Sequence, residues 1–426
     1  MQIKPQLTLP NVGLTGFETP LTEQEEAIQA SVHRFAREVL RPLGAELDKL
    51  SADELVAPGS SYYEVFAEYT KLGLSPELLA YLPPEMAVRV ESLVGEELGW
   101  GDAGLAVSLG AASFPLQMAA AAGNNELVEL CTGRIGCWVM TQPDKGSDVQ
   151  VFDMEREWPP GQPANKGNLW GRVQGDDIVI NGQCSAWVSN GAVAQVALCY
   201  IGADYGDGFF AADGRPHGMG VIVPLDLPGV TRGRALDKIG QRALPQGEIY
   251  FDDVRVPKRY AVAMRDEYYG NMAAAWSSAG THMSQVFTGL ARSAFEMALQ
   301  YCHERKQGGR LLIDHQLTRY RLGDMLRRVE VARATARRSL AYARLSPKSH
   351  PYVTASAKVT VTEEAMKVAD EALQLFGGAG TSREYPIEKL FRDARAALIE
   401  DGENRVLTMR LGLLAQQLYT EGWAQH

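Results

Sequence analysis

The hydrophobic repeat changes period twice along the 426 residues, and this confines the chain to a three-part architecture. Residues 21 to about 135 carry a helical repeat. "LTEQEEAIQASVHRFAREVLRPL" opens with Thr22 as an N-cap and Glu25 three residues on. It then lines Ile28, Val32, Phe35, Val39 and Leu40 along one face. From about 136 the repeat shortens. "DIVINGQCSAWVSNG", "VAQVALCYIG", "MGVIVPL" and "EIYFDDVRVP" are short β-branched or aromatic runs parted by Gly, Pro and Asp, the pattern of an antiparallel sheet. Among them, residues 152 to 176, with two Trp, read as a long surface loop. After Pro257 the helical period returns over 273–306, 315–345, 351–375 and from about 404, the last with Val406, Met409, Leu413, Leu414 and Leu418 inward. Four long helices with short joints make a four-helix bundle the economical solution. The expected fold is α+β: a helical domain over 1–135, a central antiparallel barrel-like or sandwich domain over 136–257, and a helical bundle over 258–426.

Composition limits what such a chain does. Apolar residues make up 46% and charged residues 22%, as in ordinary globular proteins. Lys and Arg number 42 against 52 Asp and Glu, a net charge of −10, so no basic footprint for nucleic acid is visible. The cysteines (Cys131, Cys137, Cys184, Cys199, Cys302) are odd in number and widely spaced, which points to a reducing compartment and away from zinc. No signal-peptide pattern and no uninterrupted apolar run of membrane-spanning length stands out, so the cytoplasm is the expected location and no membrane span is expected. Phosphate-loop, dinucleotide-fingerprint, zincin and nucleophile-elbow motifs are all missing. His315 reads as a structural helix-start histidine. The reactive group left is a carboxylate, and Glu400, Asp401 and Glu403 crowd around Gly402 in "ALIEDGENRVL". Acidic residues also favour the first turn of a helix, which is the local explanation for the cluster.

"ALQLFGGAGTSREYPIEKLFRDARAALIEDGENRVL" resembles the C-terminal signature of the acyl-CoA dehydrogenase family. "VMTQPDKGSD" is similar to its flavin loop and "INGQCSAWVSNG" to its second flavin strand. "KIGQRALPQGEIYFDDVRVP" is similar to the end of its β domain, and "YCHERKQGGRLLIDHQ" to its bundle helix. The five blocks keep the family's order over roughly residues 20 to 420. The resemblance implies the acyl-CoA dehydrogenase fold with bound FAD. It assigns flavin contact to Thr141, Ser147, Trp187 and Ser189. To the FAD of a neighbouring subunit it assigns Arg305, Gln316, Gln374, Gly377 and Gly378, hence a homotetramer, with a heterotetramer as the alternative. Asp401 takes the position of the base that removes the proton α to the thioester while the β-carbon gives hydride to the flavin. Glu400 and Glu403 then decorate the turn. An electron-transfer flavoprotein or another acceptor takes the electrons onward.

The chain departs from the family pattern at several points. The usual base is Glu, and Asp draws the carboxylate back by roughly 1.5 Å, one C–C bond. A straight acyl chain would meet that base poorly, whereas a branched, cyclic or otherwise bulky group fills the gap. Ala279 stands where some members supply a Glu, and Ser277 and Gly280 replace an Asp/Arg pair. Two other readings stay open at this point: a nitroalkane-oxidase-like flavin oxidase, which the stretch "DGEN" resembles, and a diverged, non-catalytic subunit of a heteromeric dehydrogenase.

Overall fold

The computed structural model describes residues 20–74, 82–148, 166–212, 214–346 and 351–421. It begins with helices α1 (Glu23–Phe35), α2 (Arg41–Leu47), α3 (Ala52–Val56), α4 (Glu64–Thr70), α5 (Pro84–Gly101), α6 (Ala103–Ala121) and α7 (Asn125–Cys131). The Thr22–Glu25 capping box forms as expected, and Val32, Phe35 and Leu40 are buried. A π-helical turn over Ala36–Leu40 joins α1 to α2. Helix α6 is long and apolar enough to cross a membrane by length and composition alone, but most of it is buried inside the protein, as in the core helix of a globular domain. Its Gly, Ser and Gln residues interrupt the apolar run without making the average polar.

Strands β1 (Gly136–Val139), β2 (Trp170–Gln174), β3 (Asp177–Gln183), β4 (Val196–Asp204), β5 (Gly218–Pro224), β6 (Val230–Arg232), β7 (Ile249–Pro257) and β8 (Ala261–Met264) form one sheet. The strand order is β6-β7-β3-β2-β4-β5-β8. The sheet is mixed, not antiparallel throughout. β4 pairs with antiparallel β5 along one edge, and β1 and β2 run parallel to it in succession along the other. Alternation of apolar residues reports burial and is blind to strand direction, which is why the sequence missed this. Two further corrections concern boundaries. Residues 170–174 of the expected loop are strand β2, while 152–165 lie outside the described residues. The sheet also continues past Pro257 into β8, which pairs with β5.

β4 shows how the sheet ties the molecule together. Val196, Leu198 and Tyr200 face a cluster shared with Phe114 and Met118 of α6 and with Trp276, while Ala197, Cys199, Ile201 and Ala203 face a second cluster inside the sheet's curve. A strand buried on both faces reads as a nearly continuous apolar run, as "VALCYIGA" does.

The bundle follows: α8 (Glu267–Glu304), the small hairpin β9 (Lys306–Gln307) and β10 (Arg310–Leu311), α9 (Gln316–Leu345), α10 (Pro351–Phe376), α11 (Ile387–Ala397) and α12 (Asn404–Glu421). Helix α5 joins it: Gly99 lies directly against the backbone of Val286, so even a methyl group there would overlap it. On α12, Leu407 is buried and Met409 is exposed, against expectation, while the side chain of Leu418 lies outside the described residues. Val406, Leu413 and Leu414 are half-buried, so the inward face is the expected one and Met409 departs from it. All five cysteines are buried and free.

Candidate active site

A cavity of about 1480 Å³ opens between the loops of the sheet, helices α5, α6 and α8, and the turn that precedes α12. Of the residues expected at the site, Thr141, Ser147, Trp187, Ser189 and Asp401 all line it. They come from three segments far apart in sequence, brought together because the sheet loops and the bundle share one crevice.

The acidic turn is built from behind. Lys358 of α10, fully buried, donates from Nζ to the Gly402 carbonyl at 2.7 Å and to Asn404 Oδ1 at 2.9 Å. Asn404 in turn donates from Nδ2 to Thr362 Oγ1 at 3.0 Å. Asp401 adopts φ +49°, the left-handed region that Asp tolerates better than most residues. Burial pushes the Lys358 ammonium down to about 8 despite the nearby Asp401 charge. Burial also pushes the Asp401 carboxyl up, with Lys358 pulling the other way. The three carboxylates have three different surroundings. Glu403 caps α12, with Oε2 accepting from the backbone N–H of Arg405 at 2.9 Å and of Val406 at 3.1 Å. Asp401 faces the cavity. Glu400 does so too, and it is no surface ornament as the sequence suggested. Its Oε1 accepts from Gln241 Nε2, and burial, then the Asp401 charge, raise its pKa to about 7.

Gln241 holds this corner together: its backbone N–H donates to Asp393, whose other oxygen accepts from Lys389 Nζ at 2.6 Å. Lys389 also donates to Asp102 at 2.6 Å. Lys358, Gln241 and Asn404 escaped the sequence reading. The "EN" following the Gly was legible, but a lysine within a helix 43 residues upstream of Asp401 carries no local signal.

On the sheet side, Thr141 Oγ1 and Ser185 Oγ share a hydrogen bond at 2.6 Å, and the Ser185 N–H donates to the Thr141 carbonyl at 2.9 Å. Ser147 Oγ accepts from the Glu403 N–H at 2.9 Å, which ties the loop after β1 to the acidic turn. The Trp187 carbonyl accepts from Gln246 Nε2 at 3.0 Å, yet its side chain is 65% exposed. Ser277 and Gly280, where the family pattern has an Asp/Arg pair, serve the contact of α8 with α10. Ser277 bonds Thr354, and Gly280 lies beside the Thr354 backbone.

The other five expected residues are elsewhere. Arg305, Gln316, Gln374, Gly377 and Gly378 do not line the cavity; they lie exposed at the ends of α8, α9 and α10. Beside them Leu317 and Tyr320 are exposed at 61% and 73%.

Comparison with known proteins accords with this geometry. The chain matches the acyl-CoA dehydrogenase middle domain over residues 137–254 and the acyl-CoA dehydrogenase C-terminal domain over 281–414. The chain belongs to the acyl-CoA dehydrogenase family. It is 27% identical over 402 residues to a cyclohex-1-ene-1-carbonyl-CoA dehydrogenase of Syntrophus aciditrophicus, covering 92% of this chain and 90% of that one. To a glutaryl-CoA dehydrogenase of Desulfococcus multivorans it is 27% identical over 409 residues, covering 92% and 96%. Its fold matches butyryl-CoA dehydrogenase from Megasphaera elsdenii with a TM-score of 0.78 at 24% identity, over 94% of this chain and all of that one. As an acyl-CoA dehydrogenase it is an oxidoreductase that uses FAD. The cavity wall fits that cofactor. It is larger than a drug-sized ligand requires, hydroxyl groups of Thr141, Ser185 and Ser189 border it, and Trp187 offers a flat face on which no ring or cation packs among the described residues.

Proposed function

We propose that the protein dehydrogenates the α,β bond of a branched, cyclic or otherwise bulky CoA thioester, with Asp401 as the base that takes the α-proton. The observation that carries this reading is the cavity itself. At the acidic turn it offers the short Asp401 side chain, and at the α8 position where some family members carry a Glu stands Ala279, which brings no carboxylate. The space that a longer Glu would fill is left to the substrate, and a broad acyl group fills it. The names of two relatives, both acting on cyclohex-1-ene-1-carbonyl-CoA, point the same way.

When bound, FAD supplies the acceptor for the hydride that leaves the β-carbon. Asp401, whose affinity for a proton burial raises above that of an ordinary aspartate, accepts the α-proton at a carboxylate oxygen. Lys358 keeps the turn in one conformation through the Gly402 carbonyl, so the carboxylate is aimed before substrate arrives. With FAD bound, Trp187 would cover a flavin face, and Thr141, Ser189 and Ser147 would offer hydroxyls to hold it. Arg305, Gln316, Gln374, Gly377 and Gly378 meet the FAD of a second copy in a homotetramer. An electron-transfer flavoprotein reoxidises the enzyme. Five free thiols suit a reducing compartment such as the cytoplasm.

The test is anaerobic titration of the yellow protein with linear, branched and cyclic acyl-CoA esters while the flavin band is followed. Cyclic or branched esters are expected to bleach it. Bleaching by linear esters alone would refute the bulky-substrate reading, and no bleaching by any ester would remove Asp401 chemistry altogether.

A further inference from the structure

Beyond the base, the cavity contains a polar group for which a hydrocarbon substrate has no use. Helix α8 lines the cavity with Ala279 and His282, three residues apart and so on one face, about 4.5 Å along the helix axis. Ala279 also borders a small void that Asp401 and Lys358 share, so it lies close to the acidic turn. His282 therefore lines the same cavity about one helical turn further along α8 than Ala279. Its imidazole occupies a notch left by Gly110 of α6, where a Cβ would overlap the ring.

The ring's tautomer follows from its single bond. Nε2 lies 3.2 Å from the Ala106 carbonyl, which can only accept, so Nε2 carries the hydrogen. Burial lowers the affinity of the imidazole for a second proton, which keeps it neutral. Nδ1 then presents a lone pair, and no described residue donates to it. Val94, Leu98, Val107 and Leu109 give the cavity apolar wall on α5 and α6, and the polar groups nearest in the lining are Glu91, which pairs with Arg344, and Ser113 and Gln117, which bond each other. A lone pair in such a wall is left unpaired by a plain hydrocarbon and satisfied by a donor.

We propose that His282 is a specificity-determining residue that accepts a hydrogen bond from a hydroxyl group on the ring or branch of the acyl moiety. The inference rests on the bulky-acyl reading above and names the class of substrate within it: a hydroxylated cyclic acyl-CoA. A site with a fixed acceptor discriminates against the analogue that lacks the donor.

Aromatic esters test this without turnover, because benzoyl-CoA has no α-hydrogen that the base could remove. Binding of benzoyl-CoA and of its 2-, 3- and 4-hydroxy derivatives to the FAD-loaded enzyme is measured by calorimetry and by the shift of the flavin band. One hydroxy isomer is expected to bind at least ~10-fold tighter than benzoyl-CoA, the worth of one hydrogen bond in a dry site. His282→Phe, which keeps a ring in the notch, is expected to abolish that preference, and His282→Leu serves as a second apolar variant. Equal binding of all four esters by the unmodified protein overturns the proposal whatever the variants do, and would mean that water serves Nδ1. A preference that survives in either flavin-loaded variant overturns it too. If no aromatic ester binds while linear esters bleach the flavin, the bulky-acyl reading falls and this inference falls with it. If benzoyl-CoA binds without any gain from hydroxyl, only the role of His282 falls.

Discussion

At the scale of single residues, the acidic turn shows that chemically equal side chains diverge by environment. Glu403, Asp401 and Glu400 lie within four positions, yet one caps a helix, one faces the cavity beside a buried ammonium, and one accepts from a glutamine of the sheet loops. As the proposed base, Asp401 would act only when ionised, and burial raises its affinity for the proton above that of an ordinary aspartate. The rate of flavin reduction should therefore climb with pH through a carboxylate limb displaced upward, and be lost below it. Asp401→Asn is expected to keep the flavin spectrum and the fold while lowering that rate by at least ~100-fold, the lower end for general-base catalysis, and to erase the limb. Stopped-flow reduction across pH reads both effects, and an intact limb in the variant would assign it to another group.

At the scale of elements, the N-terminal helices join the bundle through charge as well as through apolar packing. Arg292 of α8 donates to Glu96 of α5 at 2.7 Å and also to Glu97, while Arg333 of α9 donates to Glu96 at 2.9 Å. All four side chains are buried. Burial alone would raise Glu96, but the Arg333, Arg292 and Arg337 guanidiniums outweigh it and hold its pKa well below the usual carboxylate range. The folded pKa lies below the unfolded one, so the stabilisation is complete above the unfolded carboxylate range and is lost as pH falls through and beneath it. Removing one partner leaves buried charge without compensation. Arg292→Met is expected to cost ~3–5 kcal/mol in urea unfolding at neutral pH, and less at acidic pH where Glu96 and Glu97 protonate in the unfolded chain. A loss that does not depend on pH would point to packing in place of charge.

At the scale of the whole molecule, the expected cofactor residues fall into two groups that one chain does not unite. Thr141, Ser147, Trp187 and Ser189 line the cavity, while Arg305, Gln316, Gln374, Gly377 and Gly378 lie exposed beside Leu317 and Tyr320. A second copy reaching across the first would join them, with Arg305 meeting the FAD diphosphate. Arg305→Ala is expected to lower both the flavin-to-protein absorbance ratio and the mass measured by light scattering after gel filtration. Full flavin retention with an unchanged mass would contradict the cross-subunit role.

The sequence by itself determined the order of helical, β and helical parts, the capping box at Thr22, and the family through five short blocks. These are local properties, carried by period, turn residues and side chains a few positions apart. The resemblance also singled out Asp401 through the Gly that follows it, and that residue lines the cavity. Only the tertiary structure decided the parallel pairing of β1 and β2 with β4, the exposure of Met409, and the partners of the turn. Lys358, Gln241 and His282 became legible there alone: each acts on residues contributed by another element. Such contacts depend on how helices and sheet pack against one another, and hydrophobic periodicity encodes which face is buried but not what that face will meet.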